Sequence, residues 1–132
     1  MKLQADRIEG QNAIARYGAD GVIVNGAEYR SSVVVPWRGA VTLWPVSDFG
    51  QLTEAHFEAL LALSPELVVF GSGGRIRFVR PRLLRALIER RIGFETMDTA
   101  AACRTYNVLL AEGRNVVAAL LFESGGTPAT GR

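Results

Sequence analysis

The chain has 132 residues, of which 48% are hydrophobic and 21% charged, and its formal net charge is +2. These values are typical of one compact domain and exclude a largely disordered or collagen-like chain. No apolar run approaches the roughly 20 residues of a membrane-spanning helix, and the N-terminus lacks the layout of a signal peptide. The one cysteine excludes a disulfide within the chain. We therefore expect a cytoplasmic protein.

The first third of the chain predicts β-structure. Residues 13–18 predict one strand, and two short strands flank Asn25 and Gly26, a dipeptide that accepts the positive φ angles of a type I′ hairpin. Two apolar or β-branched runs, residues 32–35 and 40–43, continue this region. A helix is then predicted to begin after Thr53, which can cap its first turn, and to end at Ser64 before Pro65.

The second half of the chain alternates strands and helices. Strands are predicted at residues 67–70, 94–97 and 116–122, with a brief extended piece at Ile76, Phe78 and Val79. Pro81 is expected to open a helix through residue 91, whose inward stripe is Leu83, Leu84, Leu87 and Ile88. The last helix is predicted to be capped by Asp98 or Thr99 and to end at Gly113.

A β-α-β-α-β order with short loops requires right-handed crossovers and a largely parallel core sheet. We therefore predict a single α/β domain over residues 1–123, with a mixed, mostly parallel central sheet and an N-terminal hairpin region. Residues 124–132 are small and polar, which predicts a disordered tail.

The charge is distributed unevenly. Residues 75–91 hold seven arginines against Glu89, a net charge of +6, while the rest of the chain carries −4. Such a stretch can meet an acidic protein surface, anionic lipid headgroups or nucleic acid, although a solvated helix face is the plainer interpretation. Arg82 and Arg85 are our candidates for contacts with a partner. No aromatic-bearing nucleic-acid motif is visible, so we expect no specific nucleic-acid binding.

Ligands of open α/β sheets bind beyond the carboxyl ends of the strands. These ends are followed here by residues 71–75 and by Asp98 and Thr99, so Ser72, Gly73 and Gly74 join them as ligand-binding candidates. Glycine amides and a helix N-terminus would favour an anion. However, Ile76 stands where the dinucleotide fingerprint needs a third glycine, Asp98 would repel a phosphate, and a tight turn is the plainer interpretation of the glycines.

The case for catalysis is weak. Cys103 falls on an apolar helical stripe, which indicates an unreactive core residue. His56 is expected on another helix as a partly exposed surface residue, with no suitable metal-binding neighbours. We therefore predict no catalytic residues, no metal and no cofactor.

The run Met97-Asp-Thr-Ala-Ala-Ala-Cys-Arg-Thr-Tyr-Asn107, together with Leu67-Val-Val-Phe-Gly-Ser-Gly73, the Pro81 helix, Gly93-Phe-Glu95 and Leu109-Leu-Ala-Glu-Gly-Arg114, resembles an uncharacterised bacterial and archaeal family. The family also includes the mitochondrial respiratory complex I assembly factor three, and the resemblance covers about residues 13–123. It implies a three-layer α/β fold, a role of the eukaryotic relatives in assembling a membrane-bound NADH dehydrogenase, and no established catalytic residue or cofactor. Its matched residues add Arg104 and Asn107 to the ligand-binding candidates.

Two functions remain open. The first, which we favour, is a non-enzymatic protein-interaction or assembly-factor-like module whose partner belongs to a respiratory membrane complex. The alternative is a small anionic-ligand-binding protein or enzyme that uses the loops at residues 71–75 and 98–104.

Overall fold

The computed structural model describes residues 10–123; the predicted disordered tail lies outside this range. The N-terminal part forms an antiparallel sheet of three strands, β1 (Ile14–Gly18), β2 (Gly21–Val24) and β3 (Ala27–Tyr29). The β2–β3 turn has φ +52° at Asn25 and +84° at Gly26, as the predicted type I′ hairpin requires.

The second sheet has five strands, β4 (Val33–Pro36), β5 (Thr42–Leu43), β6 (Leu67–Gly71), β7 (Gly93–Met97) and β8 (Val116–Leu120). Their order is β5-β4-β8-β6-β7. The β8, β6 and β7 strands run parallel, while β4 pairs antiparallel with both β8 and β5. The prediction of one mixed α/β domain with an N-terminal hairpin region is confirmed. Within the described residues β7 pairs only with β6 and forms an edge of the sheet.

Three helices connect these strands, α1 (Glu54–Glu58), α2 (Arg85–Glu89) and α3 (Thr99–Ala111). The α1 helix continues as a 3-10 helix over Ala59–Leu63 and ends at Ser64, which has φ +52°. The α3 helix is capped by Asp98, whose side chain accepts a hydrogen bond from the Ala101 N–H, and Gly113 follows it with φ +82°. The C-terminal ends of these two helices, at Ser64 and before Gly113, lie where the sequence predicts them.

The helix expected from Pro81 to residue 91 is shorter and less regular than predicted. Residues Pro81–Leu84 form a 3-10 helix, and only Arg85–Glu89 is α-helical. Because a 3-10 helix has three residues per turn rather than 3.6, the apolar stripe shifts in phase. Leu87 is buried, but Ile88 is 58% exposed, so its predicted inward position is wrong.

The brief extended piece predicted at Ile76, Phe78 and Val79 is not a strand. The segment lies beyond the end of β6, where side-chain hydrogen bonds from Ser72 and Arg77 replace ladder pairing. Strand propensity alone therefore did not determine its structure.

The two faces of the five-stranded sheet bury different cores. Alternate residues of its central strands, such as Val69 and Ala118, pack with α3 and with β1 and β2. Their neighbours, such as Phe70 and Ala119, pack with α1 and α2. This alternation follows from the two-residue period of a strand, and it explains why β6 and β8 are apolar throughout.

Candidate functional site

A cavity of about 480 Å³ lies at the carboxyl ends of β6 and β8, beside the N-terminus of α3. It is lined by Tyr17, Gly18, Ala19, Gly73, Gly74, Asp98, Thr99, Ala100, Leu121, Phe122 and Glu123. The fold thus brings four of the predicted ligand-binding candidates together, namely Gly73, Gly74, Asp98 and Thr99. The first strand pair of the N-terminal sheet supplies another part of the wall, which the sequence did not indicate.

Thr99 is buried and fastens three chain segments to one another. Its hydroxyl accepts a hydrogen bond from the Gly73 N–H at 2.8 Å and donates one to the Leu121 carbonyl at 3.0 Å. Its own N–H donates to the Gly73 carbonyl at 2.8 Å. Since these bonds occupy its hydroxyl, Thr99 supports the cavity wall rather than offering a free group to a ligand.

Ser72 is also buried and organises the loop after β6. Its hydroxyl donates a hydrogen bond to the Arg75 carbonyl at 2.8 Å and accepts one from the Arg77 N–H at 2.9 Å. Its carbonyl accepts two hydrogen bonds from the Arg77 guanidinium. Ser72 does not line the cavity, so its position indicates a structural role in the loop.

The polar groups that face the cavity are few. Gly73 adopts φ +105°, a backbone conformation that favours glycine. Gly74 is exposed, and among the described residues its N–H has no hydrogen-bond acceptor. The carboxylates of Asp98 and Glu123 also border the cavity, which weighs against the binding of a small anion.

The two remaining ligand-binding candidates point elsewhere. The guanidinium of Arg104 is exposed and lies 3.4 Å from the Tyr17 hydroxyl, near the cavity but not in its wall. The side chain of Asn107 accepts a hydrogen bond from the Ile14 N–H and donates one to the Ile14 carbonyl, at 2.9 and 2.8 Å. Asn107 therefore joins α3 to β1 as a strand neighbour would.

Cys103 and His56 are both engaged within the fold. Cys103 is buried in the core, and this burial raises the pKa of its thiol to about 12. His56 is half-buried and bonds through its ring to the Thr53 N–H and the Pro45 carbonyl. No cluster of three metal-ligating side chains occurs within residues 10–123.

The surface of residues 75–91, hereafter the 75–91 surface, combines positive charge with exposed apolar side chains. Its apolar members are Phe78, Ile88 and Ile76, which are 74%, 58% and 48% exposed. Arg77 pairs with Glu123 at 2.7 Å. Within the described part of the chain the other six arginines, all exposed, have no carboxylate within 4 Å: Arg75, Arg80, Arg82, Arg85, Arg90 and Arg91.

The exposure of Phe78 was not predicted. In the sequence this residue reads as part of a strand, yet its neighbours Arg77 and Val79 turn inward while it faces solvent. No local signal indicates this exposure, because an alternation of charged and apolar residues, as at positions 75–78, normally buries the apolar side chains. Interfaces of proteins are enriched in arginine and aromatic residues, so this surface is a candidate for partner binding.

Three comparisons with known proteins relate the chain to others. A family profile described as "Protein of unknown function (DUF498/DUF598)" matches residues 14–121. A Bos taurus protein named NADH dehydrogenase (ubiquinone) 1 alpha subcomplex assembly factor 3 is 38% identical over 89% of this chain. The chain spans only 64% of that relative's length.

Solved structures show the same fold. A Bordetella parapertussis crystal structure has a TM-score of 0.82 and 35% identity, covering 89% of this chain and all of the other. A solution structure from Bordetella pertussis, described as a Mth938-like domain, has a TM-score of 0.81 and 30% identity, covering 94% of both chains. No helix within residues 10–123 is long and apolar enough to cross a membrane.

Proposed function

The chain belongs to the DUF498/DUF598 family, and we propose that it is a non-enzymatic protein-binding module that acts as an assembly factor. The relative from Bos taurus is named as an assembly factor of an NADH dehydrogenase. The proposed partner is a subunit of such a respiratory membrane complex. We also propose a cytoplasmic location, which the presence of a single cysteine supports.

The 75–91 surface carries this proposal. A surface with six arginines that have no carboxylate partner within residues 10–123, and with Phe78 mostly exposed, has the composition of a binding site for another protein. Unpaired arginines can also steer an acidic partner during encounter. By contrast, the hydroxyls of Ser72 and Thr99 are held in hydrogen bonds and the thiol of Cys103 is buried, so none of these three groups is a free nucleophile.

The proposed arrangement of the fold is three layers, with the five-stranded sheet in the middle. Two separate clusters of buried residues support it, one on each face of that sheet. In this arrangement α1 and α2 share one outer layer, which places the 75–91 surface on the side opposite α3.

A charge-reversal variant tests the function. Arg82→Glu with Arg85→Glu should strongly reduce the recovery of NADH dehydrogenase subunits with the tagged protein from detergent-solubilised membranes. The matched control, Arg16→Glu with Arg38→Glu, makes the same change in charge at exposed positions outside the 75–91 surface. Thermal unfolding confirms that both variants fold. Equal recovery with the two folded variants would refute a role of this surface.

The alternative is a small-ligand-binding protein or enzyme that uses the loops at residues 71–75 and 98–104. The cavity favours it, since about 480 Å³ suits a small molecule. Amide NMR of the labelled protein, titrated with nucleotides, phosphates and carboxylates, separates the two. Saturable shifts at Gly73, Gly74 and Thr99 would support this alternative, and no shifts at millimolar ligand would exclude these ligand classes.

A further inference from the structure

A groove of about 340 Å³ crosses the 75–91 surface. One wall comes from Phe49, Gly50 and Leu52 and the other from Phe78, Val79, Arg80, Arg82 and Leu83. We call it the Phe78 groove. Leu52 and Val79 are buried beneath it, whereas Phe78 is 74% exposed, so an aromatic ring stands at its edge with no described residue covering it.

The walls of the Phe78 groove are held in place. The Arg77 guanidinium lies 4.6 Å from the centre of the Phe49 ring, bonds to Glu123 and donates to the Ser72 carbonyl. Glu123 also accepts a hydrogen bond from the Phe49 N–H at 2.9 Å. Arg77 and Val79 are both directed inward, whereas Phe78 between them is exposed. A groove that exists before binding loses less entropy when a partner is bound.

The ionisable side chains that line the groove are both arginines. Arg80 and Arg82 are exposed, and no carboxylate of the described residues lies within 4 Å of either guanidinium. The nearby Glu123 is already paired with Arg77, and the side chain of Asp48 accepts a hydrogen bond from the Gly50 N–H. The groove therefore presents apolar walls and two arginines that have no carboxylate partner among the described residues.

We infer that the Phe78 groove binds an acidic segment of the protein partner, with one large apolar side chain between Phe78 and Leu83 and carboxylates on Arg80 and Arg82. Arginine pairs with carboxylates through two parallel hydrogen bonds, which gives such a segment a direction. A groove of this volume accepts one or two side chains, which suits a peptide better than a flat bilayer or a phosphate backbone. This inference rests on the proposed function and specifies the chemistry of its partner.

The test uses a fluorescein-labelled peptide of alternating Glu and Gly with one central Leu, measured by fluorescence anisotropy. Saturable binding is expected, weakened about tenfold when Ser replaces the Leu or when Gln replaces each Glu. In the protein, Phe78→Ser should weaken binding about tenfold. Arg80→Gln with Arg82→Gln should do so too and reduce the dependence on salt. The control Val108→Ser removes another exposed apolar side chain, 56% exposed on α3, and should leave binding unchanged.

Three results would overturn the inference. The first is that the peptide does not bind at millimolar concentration. The second is that the peptide with Ser in place of the central Leu binds with the same affinity. The third is that the folded Phe78→Ser variant binds the Leu peptide as tightly as the unchanged protein does. Tighter, Phe78-dependent binding to phosphatidylglycerol vesicles or to an oligonucleotide would also overturn it, since the surface would then recognise phosphates. If the peptide fails while Arg82→Glu with Arg85→Glu still abolishes subunit recovery, only the groove is refuted. If that variant also recovers the subunits normally, the proposed function fails as well.

Discussion

Replacing Thr99 by valine tests whether this hydroxyl holds the carboxyl ends of β6 and β8 together. Valine has nearly the same shape as threonine but cannot hydrogen-bond. The substitution removes the bond accepted from the Gly73 N–H at 2.8 Å and the bond donated to the Leu121 carbonyl at 3.0 Å. Both bonds are buried, so water cannot easily replace the hydroxyl.

The expected loss follows from the cost of unpaired buried groups. A buried donor or acceptor without a partner costs about 1–3 kcal/mol, and two such groups give an expected loss of about 2–6 kcal/mol in the free energy of unfolding. This is a large share of the roughly 5–15 kcal/mol by which a domain is stable. For a chain of this length, at about 3–4 °C per kcal/mol, the melting temperature should fall by roughly 7–22 °C.

The assay is urea unfolding followed by tryptophan fluorescence, since Trp44 is buried in the core. Thr99→Ser is the matched control, because it keeps the hydroxyl and loses one methyl group, worth about 0.8 kcal/mol. The midpoint should shift without a change in slope. A loss below about 0.5 kcal/mol for Thr99→Val, or equal losses for the valine and serine variants, would show that the hydroxyl bonds do not hold these segments.

The remaining predictions concern backbone space, thiol reactivity and pH. Gly71→Ala should lower the free energy of unfolding by about 1–3 kcal/mol, because the added Cβ would lie 2.8 Å from the Thr99 Cα. Gly74→Ala is the control, since a Cβ there would meet nothing within 4 Å. Equal urea midpoints of the two variants would contradict this prediction. Native Cys103, whose pKa burial raises to about 12, should resist a thiol reagent at neutral pH and react on unfolding, and labelling at the rate of a free thiol would refute its burial. A hydrogen bond from Arg77 holds the pKa of Glu123 below its ordinary value of 4.5. The stability that ionised Glu123 contributes is therefore fully present above pH 4.5 and is lost as the pH falls through the lower pKa of the folded state. Glu123→Gln should flatten the acid side of the profile of stability against pH, and an unchanged profile would contradict this prediction.

The strands and helix caps could be predicted because their signals are local. The Asn25-Gly26 dipeptide specifies a hairpin, Asp98 caps a helix, and the uniformly apolar β6 and β8 indicate strands covered on both faces. Each of these patterns depends on a few neighbouring residues. The sequence therefore predicted the mixed sheet and, apart from the extended piece at residues 76–79, the order of the elements.

Three other features could not be predicted from the local patterns of the sequence. Phe78 faces solvent because Arg77 is held by Ser72 and Glu123, a residue 46 positions away. Ile88 is exposed because the turn before it winds as a 3-10 helix. The use of the Thr99 hydroxyl also required knowing that the Leu121 carbonyl lies beside it.

The edge position of β7 has a consequence for contacts between copies of the chain. Its outer hydrogen-bonding groups are unpaired within the described residues, and such an edge can template pairing with an identical strand. Glu95 is exposed and lies at the centre of Gly93–Met97. An antiparallel two-fold pairing about this residue would set one carboxylate directly against its copy, which destabilises the pair. A single acidic side chain thus disfavours this two-fold register of pairing between the β7 strands of two copies.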